Sequence, residues 1–266
     1  MNKNKLIIAG LSSVFCLSLA SCQTKPEHVE AEGYDVVMAY YRDYFGKVFN
    51  HSNITIEYST RSNDIEYTER ILGDTSYLFE HQRIWSDEKE LYDKIGTETW
   101  SFVNENGEKV SAKEQTLLDG TKTRCYSTGD SDYQNSYRSF TKPLRVFEKL
   151  ESCLKSTPSS VDGKTWFDET RFYWQNYNYS VYGASYDWVS CTAHYQDDNE
   201  EMYISLSANL DKDTALMQRG YILIDIPECL GIWGEKINTY YFEMTYDDVE
   251  KIDIPDISGW EDMTNK

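Results

Sequence analysis

Basic charge, histidine and proline are all scarce in this chain of 266 residues. Lys and Arg number 26 against 45 Asp and Glu, a formal net charge of −19. A surface that acidic repels nucleic acid and offers no charge-driven docking on anionic lipid. The four histidines, His28, His51, His81 and His194, stand apart, and no H-E-x-x-H pair is present to seat a catalytic metal. No G-x-S-x-G elbow exists for a hydrolase serine; Gly183-Ala184-Ser185-Tyr186 runs on into Asp187. Asp130-Ser131-Asp132 opens like a calcium loop, but Asn135 replaces its glycine and Thr141 its closing glutamate. Asp211-Lys212-Asp213 departs from that pattern sooner. After the first 21 residues no apolar run approaches the ~20 needed for a spanning helix. Internal repeats and low-complexity segments are missing too. These absences leave no catalytic residue, metal ligand or cofactor to name, and the chain is expected not to be an enzyme.

What is present begins at the N-terminus. Lys3 and Lys5 precede an apolar run from Leu6 to Ala20, and the small residues Ala20-Ser21 stand before Cys22. A basic start, a short apolar segment and small residues at its end describe a secretory signal, not a membrane-crossing helix. With cysteine next, Leu19-Ala20-Ser21-Cys22 resembles the lipobox of bacterial lipoproteins. That resemblance implies cleavage between Ser21 and Cys22 and a diacylglyceryl group on the Cys22 sulfur. Residues 1–21 are then a signal peptide. The remainder is expected at a cell membrane, lipid-anchored through Cys22 on the extracellular or periplasmic side, each buried methylene contributing about 0.8 kcal/mol. A monomer is expected.

Cys16 leaves with such a leader. Cys125, Cys153, Cys191 and Cys229 remain, an even count that on the exported side permits two disulfides in any of three pairings. Four free thiols are the alternative. No two fall at C-x-x-C spacing, which disfavours a metal site.

Gln23 to Gly33 is polar, carries Pro26 and has no period, so residues 22–33 read as a flexible tether. Val37, Tyr41, Tyr44 and Val48 then recur at helical spacing over Asp35–Phe49. From residue 53 the period becomes two: Ile54, Ile56 and Tyr58, then Ile65, Tyr67 and Ile71, then Ser76 to Trp85. These are strands of an antiparallel meander with Asn, Asp or Gly at the turns. Asn106-Gly107 marks a hairpin between Trp100–Val103 and Glu108–Val110. Ser111-Ala-Lys-Glu114 has the spacing of a capping box and predicts a short helix ending at Gly120, with Thr121–Asn135 mostly loop. Pro143 opens a second amphipathic helix bearing Leu144, Phe147, Leu150 and Leu154, closed by Pro158. Strands resume at Thr165 and run to Ile254, Met202, Ile204, Leu206 and Ala208 alternating with polar neighbours. Residues 258–266 read as a frayed acidic tail from which Trp260 could dock on the domain. One domain, 34–257, accounts for the pattern.

The chain closes with Tyr240-Tyr-Phe-Glu-Met-Thr-Tyr246 and then Val249-Glu-Lys-Ile-Asp-Ile-Pro255. Preceded by a lipobox, a tether, a helix, β-hairpins, a mid-chain helix and long strands, this ending resembles the LolA-like lipoprotein-carrier superfamily and its lipid-anchored relatives. The resemblance covers roughly residues 34–257. It implies an α+β, mainly antiparallel fold: a curved, half-open barrel sheet with the N-terminal and mid-chain helices on its concave side. It also implies an apolar or amphipathic ligand, such as lipid, in the half-barrel. The resemblance transfers no residues; Tyr41, Phe45, Phe147, Phe172, Trp174 and Phe242 are the candidate lining read from the chain's own aromatic positions. The family has no catalytic motif to carry over. A tethered chain cannot shuttle cargo as a soluble carrier does. The aromatic belt from Trp166 to Trp188 fits such a lining or a sugar-stacking surface, although most of its tyrosines read as cross-strand partners. The other expectation is a cell-envelope interaction or structural module with no small ligand.

Overall fold

A computed structural model describes residues 29–60, 65–86, 91–157, 163–181, 184–211, 213–227, 230 and 237–264. Along the chain these form β1 (Val29–Glu32), α1 (Tyr34–Tyr44), α2 (Gly46–Asn50), β2 (Asn53–Thr60), β3 (Ile65–Leu72), β4 (Thr75–Ser86), β5 (Leu91–Val103), β6 (Lys109–Thr116) and β7 (Lys122–Thr128). There follow α3 (Asp130–Ser136), α4 (Thr141–Leu144), α5 (Val146–Ser156), α6 (Trp166–Glu169), β8 (Arg171–Val181), β9 (Ala184–Gln196), β10 (Glu201–Leu210), β11 (Met217–Asp225), β12 (Ile237–Tyr246) and β13 (Glu261–Asp262). The strands make one open, mostly antiparallel sheet in the order β1-β8-β9-β10-β11-β12-β2-β3-β4-β5-β6-β7-β13. Two meanders, β2 to β7 and β8 to β12, meet where β12 pairs with β2, Tyr246 opposite Ile54 and Tyr240 opposite Thr60. The α+β, mainly antiparallel class expected from the sequence is the one observed.

Alternation decides which face each side chain takes. In β2, Ile54, Ile56 and Tyr58 are buried while Glu57 is exposed. Their face carries the helices. α1 buries Val37, Met38 and Tyr41, and α5 buries Val146, Phe147, Leu150 and Leu154. Trp174 of β8 lies under α1, stacked on Tyr40 at 5.0 Å and Tyr44 at 5.2 Å between ring centroids. Phe140, between α3 and α4, touches Tyr58 at 4.3 Å and Phe242 at 5.5 Å, so it covers the seam of β2 and β12. The linker carrying it is held by Glu69, which is fully buried. Its carboxylate accepts the backbone N–H groups of Ser139 at 2.6 Å and Phe140 at 2.9 Å. Arg138, at a left-handed φ of 53°, donates to the carbonyls of Phe49 and His51. A buried carboxylate is tolerated where charge-assisted donors replace its water.

A second apolar cluster sits on the opposite face. Ser101 points toward α3, its hydroxyl donating to Ser136 at 2.7 Å, so its neighbours Trp100 and Phe102 point the other way. They pack with Val110, Ala112, Tyr77 and Tyr126 and are covered by Ile252, Ile257 and Trp260. The covering segment, Asp247 to Trp260, has no regular structure. It is pinned at its start by Asn53, whose side chain accepts from Val249 N–H at 3.0 Å and donates to Val249 C=O at 3.1 Å, imitating a strand partner. Asp248 accepts from Thr55 at 3.0 Å and from Thr245 at 2.7 Å. At its far end β13 pairs parallel with β7.

Several local expectations are overturned. Ser111–Thr116 is strand, not helix: Val110, Ala112 and Glu114 alternate inward on β6, a period that a helix cannot satisfy. Leu117 and Leu118, expected on a helix face, stand exposed at the tip of the β6–β7 hairpin, where Gly120 takes φ +81°. Thr121–Asn135 is not loop but β7 and α3, the strand made by pairing with β6 from Val110–Thr128 to Thr116–Lys122. The tether ends sooner than expected, because Val29–Glu32 pairs with β8 as β1. The acidic tail does not fray: Trp260 packs edge-on to Trp100 at 6.1 Å, and Thr128 N–H donates to Thr264. Thr165 begins a helical turn, α6, because its capping box with Asp168 outweighs the strand propensity of Trp166 and Phe167. Pro143 lies in α4, and Arg145 separates that turn from α5.

Candidate functional site

The candidate lining residues belong to the packed interior. Tyr41, Phe45, Phe147 and Trp174 are fully buried, and Phe172 and Phe242 nearly so. Tyr41 touches Phe45 at 5.6 Å and Phe147 at 5.5 Å, and Phe45 meets the edge of Trp174 at 6.2 Å. The Tyr41 hydroxyl is spent on the Leu144 carbonyl at 2.5 Å. Burial pushes that phenol well above its ordinary range. Tyr41, Phe45, Phe147 and Trp174 fill the space between helices and sheet, whereas Phe172 borders a recess of about 350 Å³ with Tyr34 and Phe167, and Phe242 borders the groove of the other face.

Cys125, Cys153 and Cys191 are free thiols. No disulfide joins any two of these three, Cys125 on β7 lying near one edge of the sheet and Cys191 on β9 near the other; a pairing with Cys229 falls outside the described residues. A bridge needs Cα atoms within ~7 Å. Burial also raises the Cys191 thiol well above its usual pKa, which suits an inert core residue. Ser21, Cys22 and Cys229 lie outside the described residues, so the lipidation site and the fourth cysteine do too.

The helix-free face holds a groove of about 860 Å³ across β9, β10, β11, β12, β2 and β3. Cross-strand register arranges its walls in two adjacent rows. One row runs Ser207, Tyr221, Tyr241, Ser59, Glu66. The next runs Trp188, Asn209, Arg219, Glu243, Glu57, Thr68. Ser207 is small and only 1 % exposed, its hydroxyl donating to Ser190 at 2.9 Å, whereas Tyr241 rises to 45 % exposure. Small hydroxyls thus make a floor and rings make its banks. Gly220 permits this floor: a Cβ there would sit 2.1 Å from the Ser207 carbonyl oxygen and 2.8 Å from the Phe242 ring. β10 and β11 therefore approach closely under the groove, with Phe242 laid across the bare glycine from the other face.

The groove continues toward the irregular strap. A neighbouring recess of about 650 Å³ shares Glu57 and Glu243 and adds Thr55, Arg70, Asp248 and Lys251. Five carboxylates (Glu57, Glu66, Glu243, Asp248 and Glu250) and three cations (Arg70, Arg219 and Lys251) along one track give mixed charge with an acidic excess. Such a surface can accept and donate many hydrogen bonds, and its rings can stack. Among the described residues no group of three His, Cys, Asp or Glu is placed to hold a metal ion, and no helix is long and apolar enough to cross a membrane.

Of this surface the sequence pointed to Trp188 alone, as the end of the aromatic belt. Tyr221, Arg219, Tyr241, Glu243 and Glu57 are the off-phase positions of strands whose in-phase residues drew attention as core. Comparison with protein-family models, with curated proteins and with solved structures finds no match.

Proposed function

We propose that this chain is a lipid-anchored, non-enzymatic binding module of the bacterial cell envelope, and that its ligand lies on the helix-free face of the sheet. The observation that carries the reading is the groove with hydroxyl floor and aromatic banks, on a sheet whose other face is filled by helices. The leader ending in Leu19-Ala20-Ser21-Cys22 supports the anchor. The LolA-like resemblance supports a sheet used to hold an amphipathic ligand, with the binding surface moved from the helix side to the opposite face.

The test is amide hydrogen exchange of the full chain in phosphatidylcholine nanodiscs, with and without a short-chain amphiphile carrying an uncharged head. Slowed exchange in β10, β11, β12 and β2, with a change in emission that disappears in Trp188→Phe, supports the proposal. Exchange unchanged there with this amphiphile and with an oligosaccharide alike, or slowed only in α1 and α5, overturns it. A protein-docking or structural module without a small ligand is the second reading. The openness of the groove and the exposure of Tyr241 favour it, and it is selected if only a protein partner slows exchange on this face.

A further inference from the structure

We propose that the groove recognises a neutral or amine-bearing oligosaccharide; this rests on the binding reading above and names its ligand class. The argument starts from the two rows. Tyr221 and Tyr241 are direct cross-strand partners, which sets both residues on the groove face of strands ~4.8 Å apart. In the adjoining row, on the same strands, stand Arg219 and Glu243, themselves partners, followed by Glu57 on β2. A sugar ring has a C–H face that packs on an aromatic ring and a rim of hydroxyls that needs donors and acceptors beside it. Rings in one row with a guanidinium, an amide and carboxylates in the next meet both needs at once. Asn209 and Trp188 extend the same pairing of polar group and ring toward β9.

Competing ligand classes fit less well. An acyl chain requires a continuous apolar wall, but between Tyr58, Ala208 and Phe242 the groove's lining is broken by Glu57, Ser59, Glu66, Thr68, Asn209, Arg219 and Glu243. An acidic polymer meets Glu57, Glu66 and Glu243 against Arg219 within the groove, on a chain of net charge −19. A neutral sugar avoids that repulsion and an amino sugar is drawn by it. Six strands of width also suit several linked rings better than one.

The test uses the full chain in phosphatidylcholine nanodiscs, titrated with hexamers of β-1,4-linked glucose, β-1,4-linked glucosamine and α-1,4-linked galacturonate. The first two are expected to bind, glucosamine at least as tightly as glucose, with galacturonate at least tenfold weaker. Tyr241→Ala is expected to weaken binding at least tenfold while Tyr241→Phe retains it. Because Tyr241 is 45 % exposed, neither change threatens the fold, and unaltered thermal melting checks this. Galacturonate binding as tightly as the others overturns the inference, as does sugar binding indifferent to Tyr241→Ala. If no sugar binds while the uncharged amphiphile still protects the groove strands, the sugar inference falls and the groove reading survives. If neither acts there, both fall.

Discussion

The two faces of this sheet bury their apolar residues by different means. On one, helices α1 and α5 lay down side chains at helical spacing, and the rings of Tyr41, Phe45, Phe147 and Trp174 fill the interior with no exposure. On the other, Trp100, Phe102, Val110 and Ala112 are covered by an irregular strap that contributes Ile252, Ile257 and Trp260. The helices satisfy their own backbone, so they need only apolar contact. The strap cannot, and it borrows polar partners from the sheet: Asn53 for Val249, Thr55 and Thr245 for Asp248, Tyr126 for Met263. A cover held by a few side-chain hydrogen bonds opens more readily than one held by interdigitated rings.

That contrast is open to direct attack, starting with the strongest perturbation. Burial raises the phenols of Tyr41, Tyr58 and Tyr246 above their ordinary value of about 10. Folding therefore favours the neutral phenol, so stability is intact below pH ~10 and declines as the unfolded chain ionises above it. Alkaline titration is expected to unfold the helix-covered core in one step, with the phenolate absorbance of these tyrosines appearing only as near-ultraviolet circular dichroism is lost. Phenolates appearing while the core signal persists would contradict the packing described. Next in size, Trp174→Ala is expected to lower global stability by about 3–5 kcal/mol in chemical denaturation. Gly220→Ala follows, at about 1–3 kcal/mol, because the added methyl meets backbone that cannot yield. Smallest globally, Asn53→Ala is expected to remove about 1–2 kcal/mol. Its signature is local: faster amide exchange at Val249 and Asp247 with α1 and α5 unchanged. If Asn53→Ala speeds exchange throughout the molecule, the strap is as integral as the helices and the comparison fails.

Much of the helix-covered face was legible because its signals are local. Leu144, Phe147, Leu150 and Leu154 declare a helix by spacing, and Ile54, Ile56 and Tyr58 declare a strand. The Asn104–Glu108 turn, closed by the Asn104 carboxamide accepting from Glu108 N–H at 2.9 Å, was equally plain. Ser111–Glu114 misled because a capping-box spacing is compatible with a strand that hides Ala112 and Glu114. Four of the six candidate lining residues, Tyr41, Phe45, Phe147 and Trp174, misled differently: sequence reports that a ring is apolar, not whether another ring occupies the space beside it. The groove was least legible. Trp188, Arg219, Glu243 and Glu57 become neighbours only through register across five strands, and nothing local to any of them announces that register.

The pairing of β12 with β2 sets the order in which this chain can be completed. Asn53 and Val249, which close that seam, are 196 residues apart. Contacts of such separation form late, since a long loop must close before they return any stabilisation. Until β12 is available, β2 and β11 each present an unpaired edge, the arrangement that invites strands of another copy to add on. A chain made from its N-terminus therefore reaches its final sheet only after nearly its whole length is available. Truncation before residue 237 is expected to yield aggregates rather than a smaller folded protein.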